Sequence, residues 1–334
     1  MHPRRDTPPP MHLVFLTPSP DPAGGGQAFN AGLIPALRAL DHTIDVRHDA
    51  QDLPAGAVPV VDGLLLPDLE PELTDLLAAD AIAIVHHVSA KAGRNEEAKA
   101  MVAATEARML PRIRRVVATS ASVADRLRAD FGVVATLLQP GLPNLPRATG
   151  SDDGTCRIVS VGVLTPRKGH DRLLHALVRL LDLDWTLTIA GDAARDPVHA
   201  ETVAALIDTL GLAHRVTLLP DPSEATLEPI WQAADLFVLA SSWEGWPAGI
   251  AEALRRGIPV VAAEVGGIPA LVPQTAGIVY APDDPATFGK CLRRALFDRS
   301  LRTALAEGAW QAGLSLPGWP QQALAFQIIL DQDT

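Results

Sequence analysis

Short apolar runs alternate with stretches of helical periodicity along this chain, and the alternation happens twice. Runs rich in Val, Ile and Leu between turn residues predict buried strands, and the longer segments between them predict crossover helices. In the first half the strands fall at 12–16, 43–47, 58–65, 82–86, 115–119 and 135–138. In the second they fall at 158–161, 186–189, 216–218, 236–239, 259–262 and 277–279. Strands that alternate with helices in this way predict two α/β units, each built on a parallel sheet.

Between them, residues 139–155 (QPGLPNLPRATGSDDGT) lack apolar periodicity and have the composition of a linker. After Pro285 the strands cease. The last segment, 318–332, places Ala323, Phe326, Ile329 and Leu330 on one helical face, which needs a partner. The expected organisation is a lead-in over 1–10, a first domain over 11–143 onto which the final helix packs back, and a second over 155–316. No period of solenoid length repeats.

Composition agrees with two cores. At 334 residues the chain exceeds the size, roughly 250–300 residues, at which a single core stops growing. Hydrophobic residues are 48% and charged residues 20%, with no apolar run near the ~20 residues of a membrane-spanning helix. The opening MHPRRDTPPP has prolines where an export signal needs an apolar stretch, so a cytoplasmic protein is expected. Cys156 and Cys291 have neither disulfide-framework nor metal-ligand spacing and read as core residues in a reducing compartment. A net charge of -11 argues against nucleic acid and anionic lipid as partners.

In open α/β sheets ligands collect beyond the carboxyl ends of strands. Three such junctions carry candidate chemistry. After the first strand, Gly24, Gly25 and Gly26 open a helix, where free N–H groups and a close backbone suit a phosphate. The spacing is not that of a dinucleotide fingerprint, and taken alone the loop reads better as a flexible turn. In VGVLTPRKGHD, Arg167 and Lys168 stand between a strand and a helix, as a planar fork beside a point charge that could clamp a diphosphate. In SSWEGWPAGIAEALRRG, Glu244 lies in the loop and Glu252 eight positions later among Ile250, Ala251, Ala253 and Leu254. Two carboxylates so spaced could each hold the vicinal hydroxyls of a ring. Other signals are weaker: Asp182/Asp184 and Asp331/Asp333 mimic a metal-binding D-x-D but fall in a turn and a tail. His170 and His175 read as surface or packing residues, and Arg112, Arg114 and Arg115 as the cap of a helix C-terminus.

The ordered set of Gly-rich loop, RKG, AGD at 190–192, DLFVLASSWEG, the two glutamates, GIPVVA and EVGGIPALV resembles family 4 of the GT-B glycosyltransferases over nearly the whole chain. The resemblance implies an α/β GT-B fold, with two Rossmann-like domains facing a central cleft and a C-terminal crossing helix. It implies that Arg167 and Lys168 bind a donor diphosphate, Glu244 the donor sugar and Glu252 the ribose, with Asp192, Gly245 and Trp246 lining the donor. Gly25 and Gly26 would approach the phosphates, and His86 or His87 would be the active-site histidine. The sequence departs from the family at Val163, where relatives carry arginine, and at Pro247, where they carry glycine.

The implied activity is transfer of a hexosyl group from a UDP-, GDP- or ADP-sugar to an acceptor with retention of configuration, needing no metal and no cofactor beyond the co-substrate. A soluble small molecule or glycan is favoured as acceptor over lipid. The loop VSAKAGRNEE, with Lys91 and Arg94, is either its docking segment or an ordinary turn. Rival readings on the same fold are an isomerase or phosphorylase, and a catalytically silent sugar-nucleotide-binding subunit.

Overall fold

A computed structural model describes residues 9–18, 25–87, 96–282 and 284–331. The lead-in 1–8, Gly24, the segment with Lys91 and Arg94, and residues 332–334 with Asp333 lie outside the described residues. The chain divides into two compact units, one running to Gly141 and resuming at Pro317, the other Leu142–Leu316.

The first unit begins β1 (His12–Leu16), α1 (Gly25–Arg38), β2 (Thr43–Arg47), β3 (Val58–Asp62), α2 (Leu73–Ala78) and β4 (Ile82–Val85). It continues through α3 (Glu96–Met109), β5 (Arg115–Ala118), α4 (Ala121–Phe131) and β6 (Thr136–Leu137). The sheet order is β2-β1-β3-β4-β5-β6, and each pairing is parallel. Because the chain fills one side of β1 with β2 and then crosses to β3 on the other, the order reverses between β1 and β3. Local chemistry sets the ends of the elements. Ser120 accepts the Val123 N–H at 3.2 Å to start α4, and Gly132, left-handed, stops it.

The second unit runs β7 (Cys156–Val161), α5 (His170–Leu177), β8 (Trp185–Gly191), α6 (Pro197–Thr209), β9 (Val216–Pro220) and α7 (Glu224–Gln232). Then follow β10 (Leu236–Leu239), α8 (Ala248–Arg255), β11 (Val260–Ala263), α9 (Ile268–Leu271), β12 (Gly277–Tyr280), α10 (Pro285–Phe297) and α11 (Arg299–Ser315). Its order, β12-β11-β10-β7-β8-β9, is the doubly wound dinucleotide-binding arrangement, with its switch point between β7 and β10. Both faces are covered. Ile158, Leu187 and Leu292 lie in one apolar cluster, and Val159, Phe237 and Leu254 in the other. No helix among the described residues is long and apolar enough to cross a membrane.

Helix α12 (Trp319–Asp331) belongs to the first unit. Ala323, Phe326, Ile329 and Leu330 join Leu13, Phe15 and Leu33 in one core, and Phe29 stands edge-on to Trp319 at 5.5 Å. Of the arginines expected to cap a helix C-terminus, Arg115 donates to the Leu330 carbonyl at the end of α12 at 3.2 Å and to Asp80 at 2.7 Å. Two expectations need correction. Residues 142–155 are not a free linker: the Ala148 and Thr149 N–H groups donate to Arg256 and Gln232 carbonyls, and Leu142 and Ala148 pack on the second core. The strand expected over 58–65 ends at Asp62, because Asp62 Oδ1 accepts the Leu64 N–H at 2.9 Å and turns the chain.

Phe326 is fully buried against Phe15. Phe326→Ala is expected to destabilise the first unit by about 3–5 kcal/mol, which differential scanning calorimetry would register as an earlier transition.

Candidate functional site

The carboxyl edge of the second sheet, at its switch point, gathers three of the residues singled out above. Beyond β7 a tight turn over Pro166–Lys168 precedes α5, and beyond β10 the chain runs through Ser241 to Trp246 into α8. The two loops are tied by backbone, since the Ser242 N–H donates to the Arg167 carbonyl at 2.8 Å. Gly169, at φ 69°, allows the close approach, because a Cβ there would collide with the Ala240 carbonyl. Gly266, at φ 53°, plays the same part for the EVGG loop, where a side chain would strike the Glu244 backbone. The next amide, Gly267 N–H, donates to the Glu244 carbonyl at 2.8 Å.

Glu244 is the centre of this arrangement. Its side chain is 4% exposed, and its Oε1 accepts from Lys168 Nζ at 2.6 Å and Ser241 Oγ at 2.6 Å, with Arg167 Nη1 as an ion-pair partner 3.1 Å away. Burial pushes the Glu244 carboxyl up, but the charges of Lys168 and Arg167 with the Lys168 and Ser241 hydrogen bonds outweigh it and hold it below the usual glutamate value. Burial pushes the Lys168 ammonium down, with Glu244 opposing and Arg167 reinforcing. Arg167 also donates to the Trp243 carbonyl at 2.6 Å, and its side chain is 38% exposed, so the guanidinium keeps donors that face outward.

Asp192, Gly245 and Trp246 border this cluster. The Asp192 carbonyl accepts the Leu164 N–H at 2.8 Å, which ties the loop after β8 to the one after β7. Gly245 is buried, and Trp246 is half-buried against the cluster of Ile250 and Ile268 with no hydrogen-bond partner for Nε1 among the described residues. Pro247 sits immediately before α8, where its missing N–H breaks no helical hydrogen bond.

Glu252 stands elsewhere. On α8 it accepts from Arg256 at 3.0 Å, and Arg256 also grips Glu228 at 2.7 Å and lies over the Trp231 ring. Burial pushes the Glu252 carboxyl up against the pull of Arg256. Among the described residues the two glutamates therefore belong to separate ion networks that share no member.

In the first unit, His86 follows β4 and is buried, with its Nε2 3.5 Å from Asp62 Oδ2 and its ring edge-on to Phe29 at 5.1 Å. His87 is half-buried. Gly25 and Gly26 form the first residues of α1. Three partners had no signal of their own in the sequence: Ser241, Asp62 and Asn30, whose amide donates to Asp62 at 3.2 Å.

The remaining candidates have structural roles. Asp182 forms a bidentate pair with Arg293, and His175 bonds its own helix at Asp171. Cys156 is buried, and its thiol is pushed up to about 12 by burial. Cys291 is half-buried, and burial raises its thiol as well.

Paired sheets of this kind define the GT-B class of fold. Sucrose-phosphate synthase from Thermosynechococcus elongatus superposes with a TM-score of 0.84 at 18% identity, over 96% of this chain and 98% of that one. Anabaena HepE, solved with UDP-glucose, gives 0.77 at 17% identity over 96% and 99%. The chain belongs to the glycosyl transferases group 1 family, whose model matches residues 143–311. Among curated relatives, the D-inositol 3-phosphate glycosyltransferases of Mycolicibacterium smegmatis and Segniliparus rotundus are 36% and 33% identical over 153 and 159 residues. Those alignments cover 45% and 46% of this chain and 35% of each relative, so the chain spans about a third of their length.

Two outcomes follow. Lys168→Met leaves the buried Glu244 carboxylate with weaker compensation and should cost about 3 kcal/mol in urea unfolding. His170 is 1% exposed with neither ring nitrogen partnered among the described residues, and burial, aided by the Lys168 and His199 charges, pulls it from 6.5 to about 4. The unfolded chain then takes up this proton first as pH falls. Its contribution is full above pH 6.5 and is lost between 6.5 and 4, by about 3 kcal/mol at most. His170→Leu should flatten that acid limb in denaturant titrations.

Proposed function

We propose that the chain transfers a hexosyl group from a nucleotide diphosphate sugar to an acceptor hydroxyl with retained configuration, without a metal. The observation that carries the reading is the buried, charged Glu244 flanked by Lys168 and the half-exposed Arg167 at the switch point of the second sheet, in a chain of the group 1 family. The second Glu244 oxygen would accept from hydroxyls of the donor sugar, and the remaining donors of Arg167 and Lys168 would meet the diphosphate. As the glycosidic bond breaks, charge grows on the leaving phosphate, and fixed cations stabilise it without reorganising. Gly245, Trp246 and Asp192 would line the donor.

The first unit contributes, on this reading, the α1 amides at Gly25 and Gly26 for phosphate and His86 for a sugar hydroxyl, with His87 beside it. The inward position of His86 supports choosing it over His87. Glu252 would hold the ribose only by exchanging its Arg256 bond for ribose hydroxyls. UDP-sugars are the first donors to test, since HepE was solved with UDP-glucose. Inositol phosphates are the first acceptors, from the names of the curated relatives.

The experiment is a panel of UDP-, GDP- and ADP-sugars with and without inositol phosphates, read by nucleotide release and thermal shift. One donor class should bind and turn over. No binding to any of them would sink the reading, and binding without turnover across many acceptors would favour a silent subunit. Glu244→Ala should lower turnover roughly 100-fold. Glu252→Ala should weaken donor binding, and unchanged affinity by calorimetry removes it from the ribose role.

A further inference from the structure

The first sheet has its own switch point, between β1 and β3, and β3 ends there in Asp62. The Asp62 side chain is 1% exposed. An ionised carboxylate so buried is costly unless partnered. Among the described residues two neutral donors reach it: Leu64 N–H at 2.9 Å on Oδ1 and the Asn30 amide at 3.2 Å on Oδ2. Burial pushes its carboxyl up, yet the His86 contact together with these two bonds holds it below the usual aspartate value. The ionisable group facing Oδ2 is His86, through Nε2 at 3.5 Å, an atom buried with no hydrogen bond completed. Phe29 closes on the same ring at 5.1 Å. A shift of about 0.5 Å would complete the bond, and such contacts tighten when a site is filled.

Which ring nitrogen of a histidine carries the proton is decided by the bond the other one makes. We propose that Asp62 is a positioning residue: its Oδ2 keeps the His86 proton on Nε2 and leaves the Nδ1 lone pair to accept a hydrogen bond from a sugar hydroxyl. Asn30 and the Leu64 amide fix the carboxylate from the other side. Asp62 thus acts through His86 and touches no substrate. This rests on the reading above that His86 meets a sugar.

Long-range nitrogen–proton NMR on the full chain, with the His86 ring assigned by loss of its signals in His86→Gln, reads the tautomer directly. Wild type should show Nε2–H, and Asp62→Asn should move population to Nδ1–H. An Nδ1–H ring in wild type, or an unchanged tautomer in the variant, overturns the proposal. In steady state with the best donor, Asp62→Asn should lower kcat roughly 10- to 1,000-fold, with KM and Tm nearly unchanged. The double variant Asp62→Asn/His86→Ala should be no slower than His86→Ala alone. Wild-type kcat in Asp62→Asn beside an impaired His86→Ala also overturns it. If His86→Ala turns over and binds donor normally, the sugar role of His86 fails, while the tautomer still decides the Asp62–His86 pairing. Should Asp62→Asn not fold, the wild-type tautomer decides alone.

Discussion

A buried carboxylate must be compensated, and in the second unit the compensation of Glu244 organises everything near it. Lys168 and Arg167 reach it only because the turn after β7 and the loop after β10 run side by side. That contact needs Gly169 against Ala240, while the backbone of Glu244 is held from behind by Gly266 and Gly267. RKG, SSWEG and EVGG are thus parts of one electrostatic construction. On the proposed reading the same cluster would serve catalysis, because cations held in place by a buried anion need no reorganisation to meet a phosphate.

The first unit repeats the logic in smaller form. Asp62 is a buried anion at the carboxyl edge of its own sheet, with an amide, a backbone N–H and an imidazole around it. Each sheet therefore ends in a carboxylate at the point where strand order reverses, the place where loops diverge and leave room for a ligand.

Much of this was legible in the sequence because parallel strands covered on both faces read as unbroken apolar runs. β1, β2 and β10 have the bounds expected from the sequence. β7 starts earlier than expected, since Arg157 interrupts the run while its N–H donates to Asp235 at 2.8 Å. Composition misread 142–155, because a Pro- and Gly-rich segment can still be bonded by residues some eighty or a hundred positions away. That Arg167, Lys168 and Glu244 come together could be expected from their places beyond strand ends. Asp62 and Ser241 could not, since their meaning lies in partners that only the fold brings near. The Glu252–Arg256 pair is readable from its i,i+4 spacing.

Helix α12 gives the first unit a discontinuous core, with Phe326 and Ile329 packed beside Leu13 and Phe15 from the other end of the chain. On a ribosome, residues 9–141 emerge first yet wait for α12 through the synthesis of the whole second unit. Leu142–Leu316, contiguous in sequence, holds its own core residues by the time its last helix is made. The core of the first unit can therefore be completed only after the second unit has been made, and until then the part of the apolar cluster that α12 fills beside α1 stays open.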